Sequence, residues 1–440
     1  MSTAPAPFVQ SMRDAAASLR LPGSGLAWLD AARAQTLREF TARGLPDQHN
    51  ELWKYTALRA LLQRTYAARD DTASARAVDA SMWAIAGLDG PCVVFVNGVF
   101  RADLSSLDAL PDGVTARSLA VALADAPEPL RFLLDRRPDD HDDGFTLLNR
   151  ALAADGLVLN VAAGIRVQQP LRIVHVGLAA TSATAWHLRS LIEMGEGAHL
   201  ELIEQHVGEE KTGHLANLVR TCALHENASL DWTVVQRAGT DATLLRRSDL
   251  LVHDGANAAF HALELGGRLA RHELRVDLAG SRSCFDSRGA FVLNGRRHAD
   301  TEVLVTHRGR DTRSDALWRG VAMDRGRGVV HGRILVLPGA DGADGGFYNK
   351  NLLLSPDAEI DTRPALEIYA DEVKANHGAT VGQLDENVLF YLRSRGIPLE
   401  LAKRILVRAF CSEALDGIEP APLREHCETL LASQLPELAS

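Results

Sequence analysis

Cysteine is sparse in this sequence. Its 440 residues hold five, Cys92, Cys222, Cys284, Cys411 and Cys427. The number is odd, the positions are far apart and no CxxC pair occurs, which argues against a disulfide scaffold and a structural zinc site. Aromatic residues make up only 5%, few for a surface that stacks on sugar rings. No apolar run approaches the roughly 18 residues of a membrane span, so no membrane partner is expected. Basic charge is also short: Lys and Arg total 47 against 57 Asp and Glu, a formal net charge of -10. That balance disfavours nucleic acid, because phosphate binding needs a basic face. The opening segment MSTAPAPFVQSMRDAAASLRLPGSG carries no apolar h-region or cleavage signal, and a reducing cytoplasm is the expected compartment.

Nucleotide and hydrolase motifs are missing as well. There is no GxxxxGK[ST] and no GxSxG, and GADGADGG at 339–346 lacks the Lys-Ser/Thr and helix of a phosphate cradle. It reads as a flexible loop. GRGRDTRSDALWRG, with Arg308, Arg310, Arg313 and Arg319, reads as a solvated basic turn.

What is present is an ordinary folding composition, 46% hydrophobic and 24% charged. The length suits about three domains or one elongated unit with flanks. Residues 1–155 form a mostly helical region with a hairpin. In LAWLDAARAQTLREFTARG, Leu26, Trp28, Leu29, Ala32 and Leu37 approach helical spacing, and Gly44 and Pro46 end the helix. PCVVFVNGVF predicts a hairpin turning at Asn97-Gly98. The acidic run at Asp139, Asp140, Asp142 and Asp143 reads as a solvated loop.

Residues 156–382 are strand-rich. LVLNV, LRIVHV, HLELIEQHV, LDWTVVQR, EVLVTH and GRILVLP follow one another between Gly, Asn and Asp turns. GEGAHLEL, HENASLDW and HDGANAAF share one frame, with Ala198, Ala228 and Ala256 at steps of 30 and 28; the next step reaches Cys284, and SPDAEIDT has the same form. Steps of this size, with small residues stacked at corners, predict a coil in which each turn lies on the last, a parallel β-helix. Residues 383–440 are helical again. Asp385 caps ENVLFYLRSRG, LELAKRILVRAFCSEALDGI is amphipathic, and Pro420 and Pro422 open a last helix. Leu389, Phe390, Leu392, Ile405, Leu406 and Phe410 are candidates for docking or packing.

Thirteen of the 16 histidines fall within 156–377. No HExxH, HxH or His-plus-Cys spacing accompanies them, so His206, His214, His225, His261 and His298 are read as structural. The unusual block is DTRPALEIYADEVKANHGATVGQLD at 361–385, where strand LEIYA should enter a polar turn from Asp371 to Gly378. His377 beside Gly378 allows close approach by a partner.

LEIYADEVKANHGATVGQLDENVLFYLRSRGI, with NLLLSPDAEIDTRP before it and ELWKYT and VFVNGVF upstream, closely resembles the SufD branch of the SufB/SufD family of iron–sulfur cluster assembly scaffolds. The likeness spans most of the chain. It implies a right-handed parallel β-helix between helical ends and a subunit that is not an enzyme. It also implies a SufB-like partner along the coil, a SufC-like ATPase on the C-terminal helices, and iron or a nascent cluster shared transiently with the partner rather than held tightly in isolation. A homodimer in the partner's absence stays open. His377 matches the family's proposed iron or cluster ligand. The family often has Cys two residues earlier, as in VKCSHG; here Ala375 and Asn376 stand in VKANHG, so any thiolate must come from the partner. Two readings compete. A carbohydrate-active β-helix enzyme would use paired carboxylates such as Asp361 and Asp371, and a metal-storage protein would use the histidines.

Overall fold

The computed structural model describes residues 5–47, 49–69, 71–135 and 143–435. Asp139, Asp140 and Asp142 of the acidic run lie outside them. Among the described residues the strands fall into two sheets that alternate along the chain. The first sheet holds β1 (Cys92–Val96), β2 (Val99–Phe100), β5 (Leu171–Gly177), β7 (His199–Gly208), β9 (Ser229–Arg237), β11 (Asn257–Glu264), β13 (Cys284–Leu293), β15 (Arg313–Ala322), β17 (Asp344–Leu353) and β19 (Lys374–Gly382). The second holds β3 (Val114–Ser118), β4 (Leu157–Val161), β6 (Ala185–Met194), β8 (Leu215–Leu224), β10 (Thr243–Val252), β12 (Leu269–Leu278), β14 (His298–His307), β16 (Arg327–Val336) and β18 (Glu359–Ile368). The sixteen strands from β4 to β19, two per turn, make eight turns of a parallel β-solenoid.

Alternation along each strand builds the core between the sheets. Leu230, Trp232 and Val234 of β9 point inward, as do Ala258, Phe260 and Ala262 of β11, and they join one continuous apolar column. The corners stack as the period predicts. Register pairs His199 with Ser229, Ser229 with Asn257, Asn257 with Cys284, Cys284 with Arg313 and Arg313 with Asp344. The residues just before these are Ala198, Ala228, Ala256, Ser283, Thr312 and Ala343, each 1% exposed or less. Cys284 is therefore not in the corner stack. That turn is one residue shorter than expected, so Ser283 takes the corner and Cys284 opens β13. Ala358 belongs to the other sheet's corners, since it precedes β18.

The N-terminal region closes the first end of the coil. β1 pairs parallel with β5, and β3 pairs antiparallel with β4. The hairpin turns at Asn97 and Gly98, both at positive φ (47° and 77°), the backbone of a two-residue hairpin loop. A Cβ at Gly98 would come within 2.6 Å of the Trp186 side chain, so the turn also needs glycine for close approach. The helix Ala27–Arg43 ends at Gly44 with φ 71°. Asp143 is not solvated loop: its carboxylate accepts from the Thr146 amide at 2.8 Å and caps the helix Gly144–Leu152.

The helices Leu399–Leu415 and Ala421–Ser433 lie on the outer face of the first sheet. Val407, Cys411, Ala414, Leu423, Cys427 and Leu431 share a core with Ile203, Val235, Leu263, Val292 and Val321 of the coil. Burial pushes the Cys411 and Cys427 thiols up to about 12, so both act as small apolar residues. The basic loop is solvated at Arg308 and Arg310 as expected but not at Arg319, and the Gly-rich loop is a corner. Arg308 and Arg310 pair with Asp277 and Asp341. Arg319 is 2% exposed, binds Glu413 of the C-terminal helix and lies over the Phe410 ring. It is an anchor rather than a solvated turn. GADGADGG is a corner whose Ala340 and Ala343 are buried.

Candidate functional site

The two ends of the coil differ. At the C-terminal end β18 and β19 are the last strands of their sheets, and no described strand pairs with their outer edges. Repeat folds ordinarily cover such an end with polar caps, and exposed strand edges offer unpaired N–H and C=O groups. Here the last turn is open. Leu366, Ala370 and Val373 only partly reach the core, and Ile368, Tyr369 and Val381 are exposed, Tyr369 by 62%.

His377 sits within this open end, in β19 rather than in a turn. Its register partner is Phe347 of β17, which fills the coil interior. Paired residues on neighbouring strands share a face, so His377 faces the inner side of the last turn, where the missing next turn leaves it exposed. Ala375, two residues earlier on the same face, offers no ligand atom.

The helical candidates divide. On the helix Glu386–Ser394, whose described residues include none that is buried, Phe390 is 75% exposed while Leu389 and Leu392 are half-buried. On Leu399–Leu415, Ile405 is exposed, Leu406 is half-buried and Phe410 turns toward the coil. Asp385 caps the first helix as expected, accepting from Asn387 and Val388. Asp361 and Asp371 are not brought together. The seven residue steps from Asp361 to Ile368 at the end of β18 extend about 23 Å at strand rise, and glycosidase carboxylates sit within roughly 10 Å. Burial, with Glu359 adding to it, raises the Asp361 carboxyl; its acidic neighbour is Glu359, not Asp371.

Two polar groupings were missed. On the outer face of the second sheet, Arg271 donates to Glu273 at 2.8 Å, Glu302 at 3.1 Å and Asp300, and its guanidinium lies 4.0 Å from the Trp53 ring centre. Thr56 donates to Asp300 and meets His298 Nε2 at 3.0 Å. ELWKYT is thus strapped onto the coil. Burial and the Glu273 charge push Glu302 up to about 7, against the pull of Arg271.

The second grouping lies inside the coil. His175 of β5 and His206 of β7 are register partners, stacked 4.7 Å apart. Both Nε2 atoms face Glu204 Oε1, at 3.4 Å and 2.5 Å, and Arg220 contacts the same carboxylate. Burial holds the His206 imidazole down at about 3. Burial alone would raise the Glu204 carboxyl, but Arg220 and His206 outweigh it and hold it well below the usual range. Of the remaining histidines read as structural, His214 stacks on Trp186 and His225 on His253.

Fold and open end together make this a parallel β-solenoid protein with helical flanks, one closed end and one exposed terminal turn. Comparison with known proteins gives its family. Residues 177–410 match "SUF system FeS cluster assembly, SufBD core domain" and residues 15–173 match "SufBD protein N-terminal region". The chain is 30% identical to the iron-sulfur cluster assembly protein SufD of Escherichia coli (strain K12), over 91% of this chain and 92% of that one. It is 26% identical to an iron-sulfur cluster assembly SufBD family protein of Synechocystis sp., over 86% and 85%. It is 28% identical to the chloroplastic protein ABCI7 of Arabidopsis thaliana, over 65% and 62%. The chain belongs to the SufBD family of iron–sulfur cluster assembly proteins. Among the described residues no helix is long and apolar enough to cross a membrane.

Proposed function

We propose that this chain is the SufD-type scaffold subunit of an iron–sulfur cluster assembly complex, without catalytic activity of its own. The observation that carries the reading is the open C-terminal turn. Its strand edges and apolar rim, Ile368, Tyr369 and Val381, suit pairing with the coil of a SufB-like sister subunit by edge addition. His377 then stands at the seam. Its imidazole is a nitrogen donor suited to iron. Because position 375 is alanine, the sister chain supplies any thiolate, and iron or a nascent cluster is cargo held at the seam only while both chains are present. Phe390 and Ile405, two of the outward apolar residues of the C-terminal helices, are the docking points for a SufC-like ATPase. The helix that carries Ile405 shares a core with the coil, so force applied there reaches the strands directly.

The experiment is co-expression of the tagged chain with sister-subunit and ATPase genes, followed by cluster reconstitution. His377→Ala should copurify with both partners at wild-type stoichiometry and lose cluster formation. Normal cluster formation by the variant would remove His377 from the site. Failure of the wild-type chain to copurify with either partner would overturn the scaffold reading itself.

A further inference from the structure

We infer that the coil interior holds a second metal site, a divalent transition-metal site built from His175, Glu204 and His206 and separate from the open end. One ligand atom from each of the three lies within 4.8 Å of the others. Two imidazole nitrogens and one carboxylate oxygen are the donor set of first-row dications such as Zn2+ and Fe2+, and not of Mg2+ or Ca2+. Metal–ligand bonds of about 2.1 Å place such donors roughly 3.4 Å apart in a tetrahedron, so the present spacing needs a shift of about an ångström to close.

A second observation points the same way. Glu204 is fully buried, and its Oε2 makes no hydrogen bond among the described residues; nor does Nδ1 of His175. A buried carboxylate oxygen without a partner is costly, and it belongs to the carboxylate whose other oxygen, Oε1, faces both imidazoles. The stack Phe95–His175–His206 holds the rings, with centroids 5.5 and 4.7 Å apart. Both imidazoles hang from neighbouring turns in register, so the site exists only in the folded coil.

Arg220 is the competitor. Its guanidinium contacts Glu204 Oε1 and is itself buried, 5.7 Å from the Trp232 ring centre. A dication and a guanidinium on one buried carboxylate repel strongly at low dielectric. Metal entry therefore displaces Arg220 from Glu204, and the two states exclude each other. This gives the site a signature that an ordinary buried ion pair lacks: removing the arginine should strengthen metal binding.

The test uses the full-length chain, stripped with chelator and titrated with Zn2+, and with Co2+ for its visible absorption spectrum. One equivalent should bind, with a Co2+ spectrum of nitrogen and oxygen ligation. Arg220→Met should tighten binding by about tenfold or more, and His206→Gln should weaken it by about as much. His377→Ala should leave this equivalent in place, which separates the site from the seam. Circular dichroism and urea unfolding establish that each variant is folded. Absence of a bound equivalent in both the wild-type chain and folded Arg220→Met would overturn the proposal, as would loss of the equivalent in His377→Ala alone.

Discussion

Arg271→Met tests how the N-terminal strap is held. In the folded chain one guanidinium serves Glu273, Asp300 and Glu302 and lies against Trp53. All four side chains of the ion cluster are buried. Methionine keeps most of the volume and removes the charge. Breaking a buried ion pair from one side costs roughly 3–5 kcal/mol, because the remaining charge is left uncompensated. Loss of the cation–π contact adds up to about 2 kcal/mol for a desolvated pair. Proton uptake by the stranded carboxylates returns part of this, so the expected loss is about 4 kcal/mol at pH 8. The sign with pH follows from linkage. Without Arg271 the folded-state carboxyl of Glu302, already raised to about 7, rises further above its unfolded value. The folded variant then binds more protons than its unfolded chain, and its deficit shrinks as pH falls toward 5.5. A coil of stacked turns need not unfold in one step, so urea unfolding followed by tryptophan fluorescence should be paired with limited trypsin digestion at Lys54, beside Trp53. Faster cleavage at Lys54 and a smaller deficit at pH 5.5 than at pH 8 are expected. A loss below about 1 kcal/mol at pH 8, or an equal loss at both pH values, would refute the reasoning.

Two further predictions concern packing and pH. Gly289 of β13 faces Trp318, and a Cβ there would sit 2.3 Å from the indole ring; Gly289→Ala should destabilise the coil by about 1–3 kcal/mol, read as a lower urea midpoint, and an unchanged midpoint would show that the ring can move. Burial, with Asp231 and Glu419 adding to it, raises Glu201 to about 7. Its folded-state value lies above its unfolded one, so its contribution is present at low pH and is lost as pH rises from about 4.5 to 7. Glu201 is half-exposed and solvent screens the effect to about 1 kcal/mol. Glu201→Gln should flatten that part of the stability-versus-pH curve, and an unaltered slope would dismiss it.

How far the sequence can be read depends on whether a signal is local. The corner alanines at 198, 228 and 256 are visible because one turn of coil uses a nearly constant number of residues. The same argument slips at Cys284, where a turn is one residue shorter and Ser283 takes the corner. Caps and breakers such as Asp385, Gly44 and Asn97-Gly98 act over a few residues and are legible for that reason. Arg271, Glu273 and Arg275 alternate on a strand and resemble a solvated face; distant segments, Trp53 of ELWKYT over Arg271 among them, cover that face. His175 and Glu204-x-His206 are 29 and 31 residues apart and meet only through the register of adjacent turns. A search for equal register one turn apart would have found them, whereas a search for short ligand spacing could not. His377 stands out by its neighbours in the chain, but its position on an open strand edge follows from the coil ending there.

The most direct measurement of the central claim is amide hydrogen exchange of this chain alone and in complex with the sister subunit. The outer edges of β18 and β19 have no described partner strand, so peptides covering 359–382 should exchange readily in isolation and become strongly protected in the complex, while turns in the middle of the coil stay unchanged. A complex that forms with no added protection in 359–382, or with protection confined to the N-terminal end, would contradict the account.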